Sequence, residues 1–228
     1  MTMQQGSVGE MVAQSRDVIT NPSVATFERY EKSGNIGTAG VYVLVAAVLA
    51  GILTFLTVLL PGVPGNAFGA FVGGVVGALV NFVIFTGLVY YLGRNFFGGT
   101  GTWDEVAYSF ALFIAPFSVV SGALTFIIAL LGGLPLLGWL IGLGGAVASI
   151  LVLLAQIYFG FLAVQSSMNI ADQGRALLVL VLAGVGTLIA QLVLAGIGGL
   201  LGGLLPLLVL VALVAVVGSM IMRRRSLR

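Results

Sequence analysis

The chain contains no cysteine and no histidine. Without them there is no Cys nucleophile, no disulfide, no iron–sulfur cluster, no imidazole acid–base catalysis and no zinc site of the usual ligand sets. Charge is nearly as scarce. Nine Lys or Arg and seven Asp or Glu serve 228 residues, or 7% of the chain. Soluble domains carry roughly 25% charge, so this chain cannot build a water-facing surface. Disorder is excluded as well, because disordered chains are charge-rich and poor in hydrophobics. The formal charge of +2 and the lack of a broad basic surface argue against nucleic acid as a partner. The N-terminal stretch has no basic segment followed by an apolar one, so no signal peptide is expected.

What is abundant is apolar: 60% of residues belong to the hydrophobic set and 34 are glycine. That composition describes an integral membrane protein. Lys32 and Arg94, Glu105 and Asp172, and Arg175 and Arg223 bound three uncharged stretches of about 61, 66 and 47 residues. One spanning helix needs about 20 residues, so each stretch holds two. A turn signal divides each: Pro61-Gly62-Val63-Pro64-Gly65, then Gly132-Gly133-Leu134-Pro135, then the glycines from Gly196 to Gly203 ahead of Pro206. The expected fold is an all-α, polytopic transmembrane helix bundle with short amphipathic N-terminal helices. Six spans are expected, over 38–60, 67–92, 106–131, 139–164, 175–197 and 204–222. Residues 1–36 form a cytoplasmic or interfacial segment, 37–222 the transmembrane domain and 223–228 a basic tail. With six crossings all charges fall on one side, which Arg94, Arg175 and the tail Arg223, Arg224, Arg225 and Arg228 mark as cytoplasmic. Both termini are therefore expected inside, with the tail facing anionic lipid.

Within the N-terminal segment, Val8, Met11, Val12, Ser15, Val18 and Ile19 recur at helical spacing. They predict a helix over 8–20 that packs on the protein's own cytoplasmic surface in preference to recruiting a lipid or partner. Asn21-Pro22 reads as the cap and first turn of a second helix. Val24, Phe27 and Tyr30 line one face of it, with Arg29, Glu31 and Lys32 lying away, and Gly34 ends it. In the 93–105 loop, Thr102 and Glu105 form a capping box for the third span. Asp104 and Glu105 suit the positive end of that helix dipole, so this acidic pair is read as structural, not catalytic. Trp103, Phe96 and Phe97 suit the membrane interface.

No ionisable residue is expected at membrane depth, which removes the usual basis for proton-coupled transport. The polar inventory there is Asn81, Gln156 and Gln191, with hydroxyls such as Thr54, Ser109, Ser118, Ser121, Thr125 and Ser149. The three amides are read as glue between helices, with a solute path as the second reading. Gly69, Gly73 and Gly77 open the second span at four-residue spacing, and Gly138 and Gly142 open the fourth; both patterns favour close helix packing. Pro116 lies mid-span, where it frees the Leu112 carbonyl and introduces a kink.

Four features resemble the Yip1-domain family in its short prokaryotic form. They are Asn21, Pro22 and Phe27 in an opening helix; the loop residues Gly98, Gly99, Gly101, Thr102 and Trp103; Pro116 in the third span; and Arg175-Ala176-Leu177 opening the fifth. The resemblance covers roughly residues 20–200. It implies a helical membrane domain, usually of five spans, with a cytoplasmic N-terminus. Eukaryotic relatives are linked to vesicle trafficking and small GTPases. This chain lacks their long N-terminal region and carries an expected sixth span, which weighs against a GTPase partner. Arginine outnumbers lysine eight to one, which fits a GC-rich prokaryote and an inner (plasma) membrane location. The expected function is non-enzymatic: a scaffold or accessory subunit contacting lipids and other membrane proteins or a second copy of itself. The alternative is a permease for an apolar or weakly polar solute. No catalytic, cofactor or metal residue is expected; a haem or pigment site is disfavoured by the lack of His.

Overall fold

A computed structural model describes residues 7–134 and 137–201, with the side chains of 197–201 left aside. Seven helices account for nearly all of the described residues: α1 (Val8–Thr20), α2 (Val24–Tyr30), α3 (Ile36–Val58), α4 (Ala67–Phe96), α5 (Trp103–Gly132), α6 (Gly138–Ser167) and α7 (Gln173–Leu201). The last five are long and apolar enough to cross a membrane. The expected span over 204–222 and the arginine tail lie outside the described residues. Helix α7 itself continues through the glycines from Gly196 to Leu201, beyond the expected end at 197.

The five long helices alternate in direction, so the bundle has a cap end, where α1 and α2 sit, and a far end. Helix α5 is central. It packs against α3 on one side and α6 on the other, while α4 lies on α3 and α7 on α4. Every residue from Val106 to Phe113 is buried, as expected of a helix apolar on all faces. Aromatic rings knit this half: Phe113 contacts Phe110, Phe159 and Phe27 at centroid distances of 5.3, 6.0 and 6.3 Å. Pro116 leaves α5 continuous, and the Ser118 hydroxyl donates to Ala115, not to Leu112.

Helix α1 forms over the residues its periodicity marks, with a capping box between Ser7 and Glu10. Met11, Ser15 and Val18 are buried against the bundle. Polar contacts fix that docking: the Tyr42 hydroxyl donates to Ser15 at 2.9 Å and the Tyr108 hydroxyl to Gln14 at 2.7 Å. The start of α2 differs from expectation. Ser23, not Asn21, is the N-cap; it has extended backbone and its hydroxyl accepts from the Thr26 N–H at 3.1 Å. Asn21 instead ends α1, donating from its side chain to Asp17 at 2.9 Å. A serine hydroxyl is as good a cap as an asparagine amide, and Pro22 sits between the two helices. Asp17 also accepts from the Tyr30 hydroxyl at 2.7 Å and pairs with Arg29 at 3.2 Å, clamping α1 to α2. The Tyr30 and Asn21 hydrogen bonds, with Arg29, hold the Asp17 carboxyl below its ordinary value.

Candidate functional site at the cap-end junction

The resemblance motif in the 97–102 loop meets the turn after α6. Thr100 N–H donates to the Met168 carbonyl at 3.0 Å, and Gly99 N–H to the Gly93 carbonyl at 2.8 Å. Gly98 has φ of +71°, a conformation that side chains disfavour. Gly99 and Gly101 are glycine for a second reason. A Cβ on Gly99 would lie 2.6 Å from Met168 Cε, and one on Gly101 would collide with the Ser167 carbonyl. Met168 is fully buried and threads between Gly93 and Gly99. Beyond the glycines, the Thr102–Glu105 capping box starts α5, with backbone-to-side-chain bonds of 2.8 and 3.3 Å. Trp103 is part-exposed and donates from its indole to Thr86 at 3.3 Å.

Asp104 does more than suit a helix dipole. Its Oδ1 accepts from the Ile36 N–H at 2.8 Å, while Asn35 accepts from Gly37 and Thr38. Two side chains thus satisfy three of the four free N–H groups at the start of α3, and one of them comes from across the bundle.

Glu31 lies where its spacing did not place it. The spacing argument placed it away from the packed face, yet it is only 4% exposed. It follows Phe27 by four residues, so the two share a helical face, and Phe27 is fully buried. Glu31 Oε2 accepts from the Ser166 hydroxyl at 2.6 Å, joining the end of α2 to the end of α6. Lys32 Nζ stands 3.8 Å from its other oxygen. Burial pushes the Glu31 carboxyl above its ordinary value, Glu105 and Glu28 add to that rise, and the Ser166 bond and Lys32 oppose it. Beside this junction a shallow cavity of about 380 Å³ is lined by Val24, Glu28, Gln165, Asn169, Ile170 and Ala171. The left-handed Asn169, at φ +53°, turns the chain there. Arg175 does not reach the junction; it pairs with Asp172 at 3.7 Å on the exposed surface.

At membrane depth, two of the three amides meet: Gln191 Nε2 donates to Asn81 Oδ1 at 2.6 Å, on an exposed face between α4 and α7. Gln156 is half-buried. Gly69, Gly73 and Gly77 lie on the exposed face of α4, and a Cβ at Gly73 or Gly77 would meet nothing within 4 Å. Gly142 is equally open, while Gly138 abuts the Gly132 carbonyl.

Residues Asn21, Pro22, Phe27, Gly98, Gly99, Gly101, Thr102 and Trp103 therefore gather at one end of the bundle. Glu31, which the spacing set apart from the packed face, completes that end with Ser166, Ser167 and Met168, for which the sequence holds no signal. The four-residue step from Phe27 to Glu31 was the available signal. No curated protein and no solved structure matches the chain. The family model described as the Yip1 domain matches residues 16–195, a stretch that runs from the end of α1 to within α7 and holds α2, the glycine loop and α3 to α6 entire, and the chain belongs to the Yip1 domain family.

Proposed function

We propose that this membrane protein acts without catalysis, as a scaffold or accessory subunit contacting lipids and other membrane proteins. The observation that carries this reading is where most hydroxyls of the spans go, the buried Ser109, without a partner among the described residues, excepted. Thr54, Thr57, Thr86, Thr125, Ser149, Ser167 and Thr187 each donate to a carbonyl of their own helix four residues back, at 2.6–3.0 Å. Groups engaged this way serve the helix backbone and offer little to a passing solute or a reacting substrate. The cap end supplies a stiff platform, since α1 and α2 are tied to three of the long helices. Purification from the native membrane in mild detergent should yield a stoichiometric partner or a defined homo-oligomer. A lone monomer under those conditions overturns the reading. A GTPase partner has no observation in its favour.

The second reading, a permease for an apolar or weakly polar solute, is favoured by one feature: the Asn81–Gln191 pair borders a crevice of about 490 Å³. Substituting Asn81, Gln156 and Gln191 by Leu abolishes flux under that reading and leaves it unchanged under the first. Cytoplasmic termini are favoured by the arginines under the positive-inside rule, and the arginine-over-lysine composition favours the plasma membrane of a prokaryote. A reporter fused after Arg228 reads as cytoplasmic with six spans and as external with five.

A further inference from the structure

The two cap helices are held to the bundle by different chemistry. Helix α1 is tied by the Tyr42 hydroxyl on Ser15, the Tyr108 hydroxyl on Gln14, and the buried Met11 and Val18. A phenol ionises near about pH 10, so these ties do not respond to protons at ordinary pH. Helix α2 leans mainly on α6, and its polar tie to that helix is a carboxyl. Glu31 is 4% exposed and meets the Ser166 hydroxyl at 2.6 Å. A neutral carboxyl can stay in such a seat, whereas an ionised one needs countercharge or water. Countercharge is short. Glu28 on α2 and Glu105 on α5 are acids, α6 carries no charged side chain, and Lys32 at 3.8 Å is the one cation beside Glu31 among the described residues. The other acids of this end are engaged elsewhere: Asp17 with Tyr30 and Arg29, Asp104 with the Ile36 N–H, and Asp172 with Arg175.

The seam between α2 and α6 is already parted. The cavity of about 380 Å³ has Val24 and Glu28 of α2 on one wall, with Gln165 of α6 and Asn169, Ile170 and Ala171 of the following turn on the other. Water reaching it can hydrate a carboxylate that leaves Ser166. The chain is non-helical on both sides of α2, at Asn21-Pro22 and at Ser33-Gly34, so the short helix can turn as a unit. Its pivot is the Asp17 clamp, which holds Tyr30 at 2.7 Å. Asp17 lies below its ordinary value and so stays ionised while Glu31 titrates. We propose that Glu31 is a proton-operated latch: protonated, it seats α2 on α6; ionised, it leaves Ser166, and α2 swings off α6 about the Asp17 clamp, widening the cavity into a cleft while α1 stays docked. Helix α2 is then the movable edge of a platform that α1 keeps in place. The direction follows from proton linkage. Burial raises the seated Glu31 carboxyl, and release into water returns it to its ordinary 4.5. The released form therefore gains by up to about tenfold per pH unit between 4.5 and the raised value, and no further above it.

The lack of native cysteine makes the movement readable. Ile170→Cys, buried on the cavity wall, is labelled with a water-soluble maleimide from pH 4.5 upward, in the full chain and in native-lipid membranes. Dividing its rate by that of the exposed Val12→Cys removes the thiol's own titration. The ratio should rise with pH and then level off. Glu31→Gln, which cannot ionise, should keep it low throughout. Lys32→Gln, which removes the opposing cation, should move the levelling to higher pH. Val18→Cys, beneath α1, should stay protected at every pH. Amide hydrogen exchange over α2, corrected for the intrinsic effect of pH, gives the same readout in the unsubstituted protein and should quicken in step. A flat ratio, α2 exchange that ignores pH, or an equal rise in Glu31→Gln overturns the proposal. Labelling of Val18→Cys in step with Ile170→Cys overturns it as well, because the whole cap would then be leaving.

Discussion

A Cβ added to Gly101 would collide with the Ser167 carbonyl, whereas one added to Gly142 would meet nothing within 4 Å. The same contrast runs through the two halves of the bundle. At the cap end the core of α5 is buried on every side, and Gly34, Gly93, Gly99 and Gly101 are each pressed by a neighbour. Hydrogen bonds there join residues 27, 68, 94 and 135 positions apart. Toward the far end α5 turns outward with Val120, Ile127, Leu130 and Leu131, and α6 shows Trp139, Leu143, Ile150 and Leu151. Apolar side chains gain little by leaving lipid for a protein interior, so the far half is mostly open, with close approach confined to points such as Gly138 on the Gly132 carbonyl and Gly145 on Ile128. The cap half borders water, and there polar pairing, capping and close backbone contact set the structure.

The comparison breaks first at the loop. Gly101→Ala should cost more than about 3 kcal/mol, because backbone cannot yield as a side-chain end can, and Gly142→Ala should stay within about 0.5 kcal/mol. Yield and thermal midpoint in detergent check both; equal effects would erase the distinction. Met168→Ala, which empties the slot between Gly93 and Gly99, should cost about 2–5 kcal/mol, and Leu143→Ala on the exposed far half much less. Ser166→Ala should cost about 1–3 kcal/mol by removing the hydrogen bond to the buried Glu31 Oε2.

Glu31 also sets a pH dependence. Its carboxyl is raised in the fold, so the folded protein binds the proton more tightly than the unfolded chain does. Its stabilising contribution is then complete below the ordinary value of 4.5 and is lost as pH rises through the raised value. Asp17, held below its ordinary 3.8, acts in the opposite sense, and its contribution is lost only as pH falls beneath that value. Stability measured from pH 4.5 upward should therefore decline in the parent and lose that slope in Glu31→Gln, which keeps a hydrogen-bonding partner for Ser166. An unchanged slope in Glu31→Gln would assign it to another group. The smallest effect belongs at membrane depth: Asn81→Leu should cost about 0.6–2 kcal/mol as lost interhelical glue.

Much of this was legible in the chain. The charge-free stretches and their Pro and Gly turns announced helices α3 to α7, because a membrane accepts little else. Periodicity marked α1 over the residues that form it, and Thr102 with Glu105 announced the start of α5. Other features were hidden. Asn21 and Ser23 are both good caps, and local chemistry does not choose between them. Spacing set Glu31 apart from the face of Val24, Phe27 and Tyr30, although its four-residue step from Phe27 puts it on the buried side. Asp104 was explained by its own helix, so its bond to Ile36 on another helix went unsuspected.

The sequence by itself determined that this protein lives in a membrane, that it is helical, and which family it belongs to. These follow from composition and spacing along one dimension, where the lipid makes the selection. Only the tertiary structure decided which glycines are pressed and which stand open, that an acid at the end of α2 is buried against a serine at the end of α6, and that Asn81 meets Gln191. Those pairings join residues up to 135 positions apart, and their chemistry exists only once the helices bring them together.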